Sequence, residues 1–215
     1  MSTALVQSGN VGNSTACTYA SAQVAGNCNI VGMNSSTAFA TGCLDTLGNV
    51  YTLDVQYGPT TNGRYVTILH APNINAAGAG GNVVTPQGGG NKSIIIAEVS
   101  GLGSLPTIDG NVQNFSTSNT RPLLAITAAQ AVEFLFNLLG TGTNQTAMGP
   151  SSTFTFMQTA GGAAAAYQNI TTPGSYTCQY NTSANWNMVL LGFVPGGALG
   201  AGGPSGTTFV IRRRR

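Results

Sequence analysis

Apolar positions along the chain recur mostly at every second residue, in short runs separated by glycine, proline and asparagine. A two-residue period puts the apolar side chains on one face of a strand, and the punctuating residues mark tight turns. Ser14 to Val24 reads as a strand with partial alternation that ends at the turn Ala25 to Asn27, and a second strand is expected through Ile30 to Met33. Leu44 to Gly58 places Gly48-Asn49 between two alternating arms, which predicts a β-hairpin. Arg64 to Ile74 alternates Tyr65, Thr67 and Leu69 against Val66, Ile68 and His70, and Pro72 closes it. Lys92 to Leu102 carries a continuous apolar run, as a strand buried on both faces would.

The stretch from Pro122 to Leu139 gives two signals. Its propensities are helical from Ala125 onward, yet Val132, Phe134, Phe136 and Leu138 alternate, which predicts a strand entered after a polar loop. Ser152 to Gly161 alternates strictly, the Ala163 to Ile170 segment continues into another strand, and Gly174 to Tyr180 and Asn185 to Pro195 make the last two. Many short strands at this spacing predict an all-β protein, an antiparallel β-sandwich of jelly-roll-like form. The expected organisation is one sandwich domain over residues 1–196, followed by a Gly-rich linker and basic tail over 197–215.

Composition changes this picture in one respect. Charged side chains make up only 6% of the chain, against about 25% in an ordinary globular domain. The surface must then be wetted by Ser, Thr, Asn and Gln, and a body so poor in charge has weak colloidal repulsion. That suits a packed or particle-bound surface better than a concentrated solitary protein. Four of the seven basic residues are the last four, Arg212, Arg213, Arg214 and Arg215. They follow Thr207, Thr208, Phe209, Val210 and Ile211, five residues of strong β propensity carried on the linker, so an assembly contact on a partner's sheet edge or groove is expected there.

No apolar run reaches the roughly 18 residues that a membrane helix needs, and the first residues lack the basic and apolar regions of a secretory leader. Seven N-x-S/T sequons, at Asn13, Asn34, Asn91, Asn114, Asn144, Asn169 and Asn181, are what a chain rich in these residues produces by composition alone. Cys17, Cys28, Cys43 and Cys178 match no metal-ligand spacing, and His70 is the single histidine. Two readings of the cysteines stand level: buried free thiols, or disulfides in any of the pairings that four cysteines allow.

The segments Asp45 to Leu53, Tyr65 to Thr85, Ile94 to Asn111 and Gly174 to Pro195 together resemble a β-sandwich domain that recurs in phage structural proteins and bacterial surface proteins. The resemblance implies a fold and a place on a surface. It brings no catalytic residue, and the cysteines and the tail beyond Pro195 are additions to its pattern.

Little of the sequence points to catalysis. Glycoside hydrolysis needs two facing carboxyl groups, and Asp45 with Asp54, on opposite arms of the predicted hairpin, is the candidate pair. Polar hairpin residues are the expected reading of both. Glu98, inside an apolar strand, is expected to cap the amides of a neighbouring loop or to mark where the strand turns to solvent. His70 reads as a strand-end side chain, since no G-x-S-x-G or comparable nucleophile accompanies it. The glycine-rich Gly78 to Asn82 and Gly88 to Asn91 lack the Lys-Ser/Thr of a phosphate loop. A sugar platform, if present, would use Trp186 with Tyr180, Asn185 and Asn187, although a lone Trp in a sandwich is more often core. The expectation is a non-enzymatic structural subunit on a phage virion surface, with no cofactor or metal. Its partners would be its own copies or other virion proteins, without membrane or specific nucleic-acid binding. A glycan-binding adhesin module, or a filament subunit assembled by strand donation, is the alternative.

Overall fold

The computed structural model describes residues 2–37, 42–59, 63–88, 92–142, 144–181 and 183–196. The tail expected to make assembly contacts therefore lies outside the described residues. In chain order the strands are β1 (Ala4–Ser14), β2 (Cys17–Thr18), β3 (Cys28–Ser35), β4 (Cys43–Asp45), β5 (Thr52–Tyr57), β6 (Tyr65–Ala71), β7 (Val83–Pro86) and β8 (Lys92–Ser100). They continue with β9 (Thr107–Thr120), β10 (Leu123–Ala128), β11 (Glu133–Thr141), β12 (Thr155–Ala160), β13 (Ala163–Ile170), β14 (Gly174–Gln179) and β15 (Ala184–Val194). All pairings are antiparallel, and the fold is an all-β sandwich.

The sandwich has four layers. Two central sheets of five strands, ordered β1-β8-β3-β6-β5 and β12-β13-β11-β15-β9, are flanked by the small sheets β2-β7-β4 and β10-β14. The central core joins Ile30, Val66, Ile68, Ile95 and Val99 of the first sheet to Phe134, Phe136, Leu138, Val189 and Phe193 of the second. On the far side of the first sheet Val31, Met33, Leu69, Ile94 and Ile96 pack under Cys17, Tyr19 and Val84 of the first outer layer. On the far side of the second, Leu135, Leu139, Met188 and Leu190 pack under Leu124, Ile126, Cys178 and Tyr180. Alternate residues of one strand thus enter two different cores, which is why β3 and β11 are buried at every position. Full burial of each Phe, Leu or Ile contributes about 1.5–3 kcal/mol, so these double-faced strands hold most of the stabilising apolar area. Gly32 of β3 faces β11 of the opposing central sheet at close range. A Cβ there would lie 2.9 Å from a methyl carbon of Leu138.

Several expected elements are present and some are displaced. β6, β8 and β12 to β15 fall within the predicted stretches, and β8 is buried on both faces as its apolar run requires. The Ser14–Val24 strand is instead only the two-residue β2, and the chain before it forms β1. The Gly48-Asn49 hairpin does not form. Asp45 accepts bonds from the amides of Leu47 (3.1 Å) and Asn49 (3.0 Å), and this turn carries the chain from the outer layer, where β4 pairs with β7, to the central sheet, where β5 pairs with β6. Residues with helical propensity after Pro122 form the strand β10, because Leu124, Ile126 and Ala128 alternate into the core beneath them. Packing has overridden local preference there.

Side-chain bonds fasten one flank of the sandwich. The edge strands β1 and β12 are tied by Asn10 to Gln158 at 2.6 Å and by Gln158 to Ser8 at 3.1 Å. At the end of this flank the β12–β13 turn, Gly161-Gly162, takes φ of 47° and 87°. Those left-handed values are open to glycine with little strain.

Candidate functional site

Each acidic side chain is built into the fold. Asp45 accepts from Asn49 Nδ2 (2.7 Å), the Tyr51 hydroxyl (3.0 Å) and Asn82 Nδ2 (3.1 Å), in addition to its two backbone amides. Asp54 occupies a register shift between Leu53 and Val55 in β5 and meets His70 Nδ1 at 2.7 Å. A bulge re-aims a side chain in this manner. Asp45 and Asp54 consequently serve different layers and do not form the facing pair that glycoside hydrolysis needs. His70 is buried, with its ring edge-on to Phe193 at 5.7 Å, and burial raises the Asp54 carboxyl while the His70 contact opposes that shift. Glu98 does what the sequence reading expects of it: fully buried, it accepts from the Val24 amide (2.9 Å), Asn27 Nδ2 (2.6 Å) and Gln7 Nε2 (2.6 Å) and so fixes the loop before β3.

A second carboxyl pair escaped the sequence reading. Glu133 opens β11 with its side chain buried; Oε1 accepts from the Gln130 amide at 2.9 Å, while Oε2 has no donor. Burial, with the nearby Asp109 carboxylate, pushes Glu133 up to about 7. Asp109 itself accepts from the Ala129 amide at 3.1 Å. A Cβ placed on Gly192 would lie 2.6 Å from Glu133 Oε2, so the pair is packed beneath backbone and not aimed into a cleft. The only sequence signal was a glutamate at the head of an apolar run.

All four cysteines are free and buried. Burial raises the Cys17 thiol to about 11 and the Cys43 thiol to about 12, and lifts Cys28 and Cys178 well above their ordinary range. Such thiols are poor nucleophiles, because the thiolate is the reactive form. Among the described residues no cluster of His, Cys, Asp and Glu could hold a metal ion.

The candidate sugar platform is not at the surface. Trp186 is 5% exposed and Tyr180 fully buried, both in the core under β10 and β14. The Tyr180 hydroxyl donates to Asn137 Oδ1 at 2.8 Å, and Trp186 Nε1 donates to Thr120 Oγ1 at 3.3 Å. Asn185 is exposed and accepts from the Asn119 amide, whereas Asn187 is buried and donates to the Arg64 carbonyl at 2.7 Å. Strand alternation puts Trp186 on the opposite face of β15 from its neighbours Asn185 and Asn187, so these side chains and the rings do not form one outward-facing group.

A polar pocket of about 330 Å³ opens instead at the end of the sandwich, where both central sheets contribute to its wall. Asn13 comes from the end of β1, Asn34, Ser35 and Ser36 from the end of β3, Arg64 from the start of β6, Lys92 and Ser93 from the start of β8, and Gly161 from the β12–β13 turn. Asn13 has φ of 54°, beside a register shift between Val11 and Ser14. Ser93 Oγ donates to the Gly161 carbonyl at 2.7 Å, and Asn34 Nδ2 to the Gly162 carbonyl at 2.9 Å, so the two sheets are bonded across the floor. Lys92 is 2% exposed, its Nζ donates to the Gly88 carbonyl at 2.9 Å, and burial lowers its affinity for the proton. Two cationic side chains line this pocket and no acidic one does.

No protein-family model, curated protein or solved structure matches the chain. The class that the fold defines is an all-β sandwich, and the recurrence of its pattern in phage and bacterial surface proteins has no family match behind it.

Proposed function

We propose that the protein is a non-enzymatic structural subunit on the surface of a phage virion, as a head decoration or fibre-like component, held in place by contacts between repeated units. The observation that carries this reading is β9. It ends its sheet, pairing with β15 on one side only among the described strands, and it runs for 14 residues with most of its side chains exposed, Ile108 and Phe115 included. Solitary proteins protect a long edge with lysine, proline, bulges, brevity or a covering element, and of these β9 has two register shifts in its pairing with β15. β9 has no lysine or proline, and Asp109 is its sole charge. An edge of this composition suits a strand from another subunit, and Thr207 to Ile211, on its Gly-rich linker, has the composition to be that strand.

Light scattering of the purified full chain, with mass spectrometry of purified particles, tests the reading. A defined oligomer or a particle-bound protein is expected. Phe115→Lys, and separately deletion of residues 205–215, should each leave a folded body that no longer assembles. A full chain that stays monomeric at all concentrations and is absent from particles would overturn the proposal.

A further inference from the structure

We propose that the Glu133–Asp109 carboxyl pair is a pH-sensitive latch on the β9 edge: sharing one proton, the two carboxyls seat the first residues of β9 on β15, and once both are ionised that end of the strand lifts from the sheet. The latch stands on the geometry of the pair, while its effect on assembly rests on the reading of β9 as the assembly edge.

Both carboxyls hold the same loop. Asp109 Oδ2 accepts from the Ala129 amide at 3.1 Å, and Glu133 Oε1 accepts from the next amide, Gln130, at 2.9 Å. Consecutive amides thus gather one carboxyl from β9 and one from β11, although β15 lies between these two strands in the sheet. The backbone makes room for the meeting. Between the pairs Ile108 with Phe193 and Asn111 with Leu191, β9 has two residues, Asp109 and Gly110, where β15 has only Gly192. This is a bulge, and Gly110 takes φ of 95° in it. A Cβ on Gly192 would lie 2.6 Å from Glu133 Oε2 and 2.8 Å from the Asp109 carbonyl oxygen, so glycine at this position lets Glu133 reach across β15 to the bulge.

Glu133 is buried, and its Oε2 has no donor. Protonated, that oxygen donates to the Asp109 carboxylate, and the pair carries one charge. Ionised, it faces a like charge in partly dry surroundings with nothing to offset it. The other neighbours are uncharged: Ile170 of β13 lies opposite, Gly192 and Phe193 of β15 lie alongside, Thr3 donates to the Glu133 carbonyl, and the loop 129–132 has no ionisable side chain. Burial and Asp109 together push Glu133 up to about 7, so the proton is kept in mild acid and released to solvent at alkaline pH. Relief of the repulsion comes from one side. β11 is held between β13 and β15, whereas β9 has a partner on one side only and Asp109 is half-buried. The end of β9 up to the bulge is therefore the part that swings into water, and the pairs from Asn111 onward stay. An edge that has lost its first residues offers a shorter template to another strand, so mild acid favours assembly and alkaline pH opposes it.

Segment-resolved hydrogen exchange of the dilute full chain from pH 5.5 to 8 tests the latch, with Glu133→Gln measured at each pH so that the intrinsic base catalysis of exchange cancels. Relative to that variant, wild-type amides of residues 107–111 should exchange about 10-fold faster at pH 8 than at pH 5.5, with no such change over 112–120. Asp109→Asn removes the facing charge and keeps an acceptor for the Ala129 amide; it should cut the rise at least ~3-fold, and it serves as the reference if Glu133→Gln does not fold. Light scattering over the same range reads the consequence: assembly should weaken towards pH 8 in wild type and stay level in Glu133→Gln. A chain that assembles at no pH removes the assembly reading and leaves the exchange result to decide the latch. Exchange over 107–111 that follows pH identically in wild type and Glu133→Gln overturns the latch. Assembly that follows pH identically in both chains, with the exchange difference present, overturns the coupling of the latch to the edge.

Discussion

Glu133→Gln should make the protein more stable at neutral and alkaline pH and should remove part of its pH dependence. Burial, with the nearby Asp109 carboxylate, pushes the wild-type carboxyl up to about 7 in the folded chain, against an ordinary value of 4.5. The folded state thus holds the proton over a range in which the unfolded chain has released it. Stability is then greatest below pH 4.5, falls as pH rises through the window up to 7, and is flat above it as far as this group is concerned. At about 1.36 kcal/mol per pH unit the shift corresponds to an upper limit of ~3 kcal/mol. Asp109 is half-buried, so part of its field is screened, and about 2 kcal/mol is the better expectation. Glutamine keeps the acceptor for the Gln130 amide and offers Asp109 an N–H at every pH. At roughly 2–4 °C per kcal/mol for a chain of this size, the melting temperature at pH 8 should rise by about 4–8 °C, with little change at pH 4.5. Thermal unfolding followed by circular dichroism from pH 4.5 to 8.5 measures both curves. Parallel curves, or a variant that melts lower than wild type at pH 8, would refute the reasoning.

Native protein should show no thiol reactive towards Ellman's reagent, and denatured, unreduced protein should show four, because Cys17, Cys28, Cys43 and Cys178 are all buried and free; two or none after denaturation would mean that disulfides form. Asp45→Ala should cost about 2–3 kcal/mol in urea denaturation, since it strips the acceptor from the Leu47 and Asn49 amides, the Tyr51 hydroxyl and Asn82. An effect under 0.5 kcal/mol would show that water replaces it. Gly32→Ala should destabilise by about 1–3 kcal/mol through overpacking against Leu138 and Phe136, read as a lower urea midpoint at unchanged slope.

What the sequence reveals depends on how local the cause is. The run Ile94, Ile95, Ile96 announces a strand covered on both faces, because nothing but two apolar layers accommodates it. β11 shows the limit of the same logic. Phe134, Phe136 and Leu138 alternate, yet Leu135 and Leu139 between them face a second core. The alternation is one half of a double pattern and gives no solvent face. β9 is illegible as a strand because its edge position leaves most of its side chains in water, so no apolar period develops. The site is harder still. Its wall gathers residues from positions 13 to 161, each next to a strand end, and only the stacking of the two sheets brings them together. Glu98 was readable because a buried carboxylate must find donors. Glu133 was not, because its partner Asp109 lies on another strand.

The distribution of charge between body and tail leads to the last prediction. The acidic residues bond to partners within the fold, whereas four of the seven basic ones form Arg212 to Arg215. A partner that pairs with Thr207 to Ile211 through its main chain would have its side of the contact oriented by these four charges, and would be the better fitted for it if it carried acidic groups near that edge. Exposed charge attraction of this kind is screened over about 8 Å at physiological salt and 3 Å at 1 M. Main-chain pairing is not screened. Replacing the four arginines by serine should therefore lower assembly at 50 mM salt by a factor that shrinks as salt rises, until variant and wild type coincide near 1 M. Deletion of residues 205–215 should abolish assembly at both. Light scattering across that range separates the two terms. A serine variant that assembled like wild type at low salt would remove the electrostatic part of the contact, and a truncated chain that assembled normally would remove the strand.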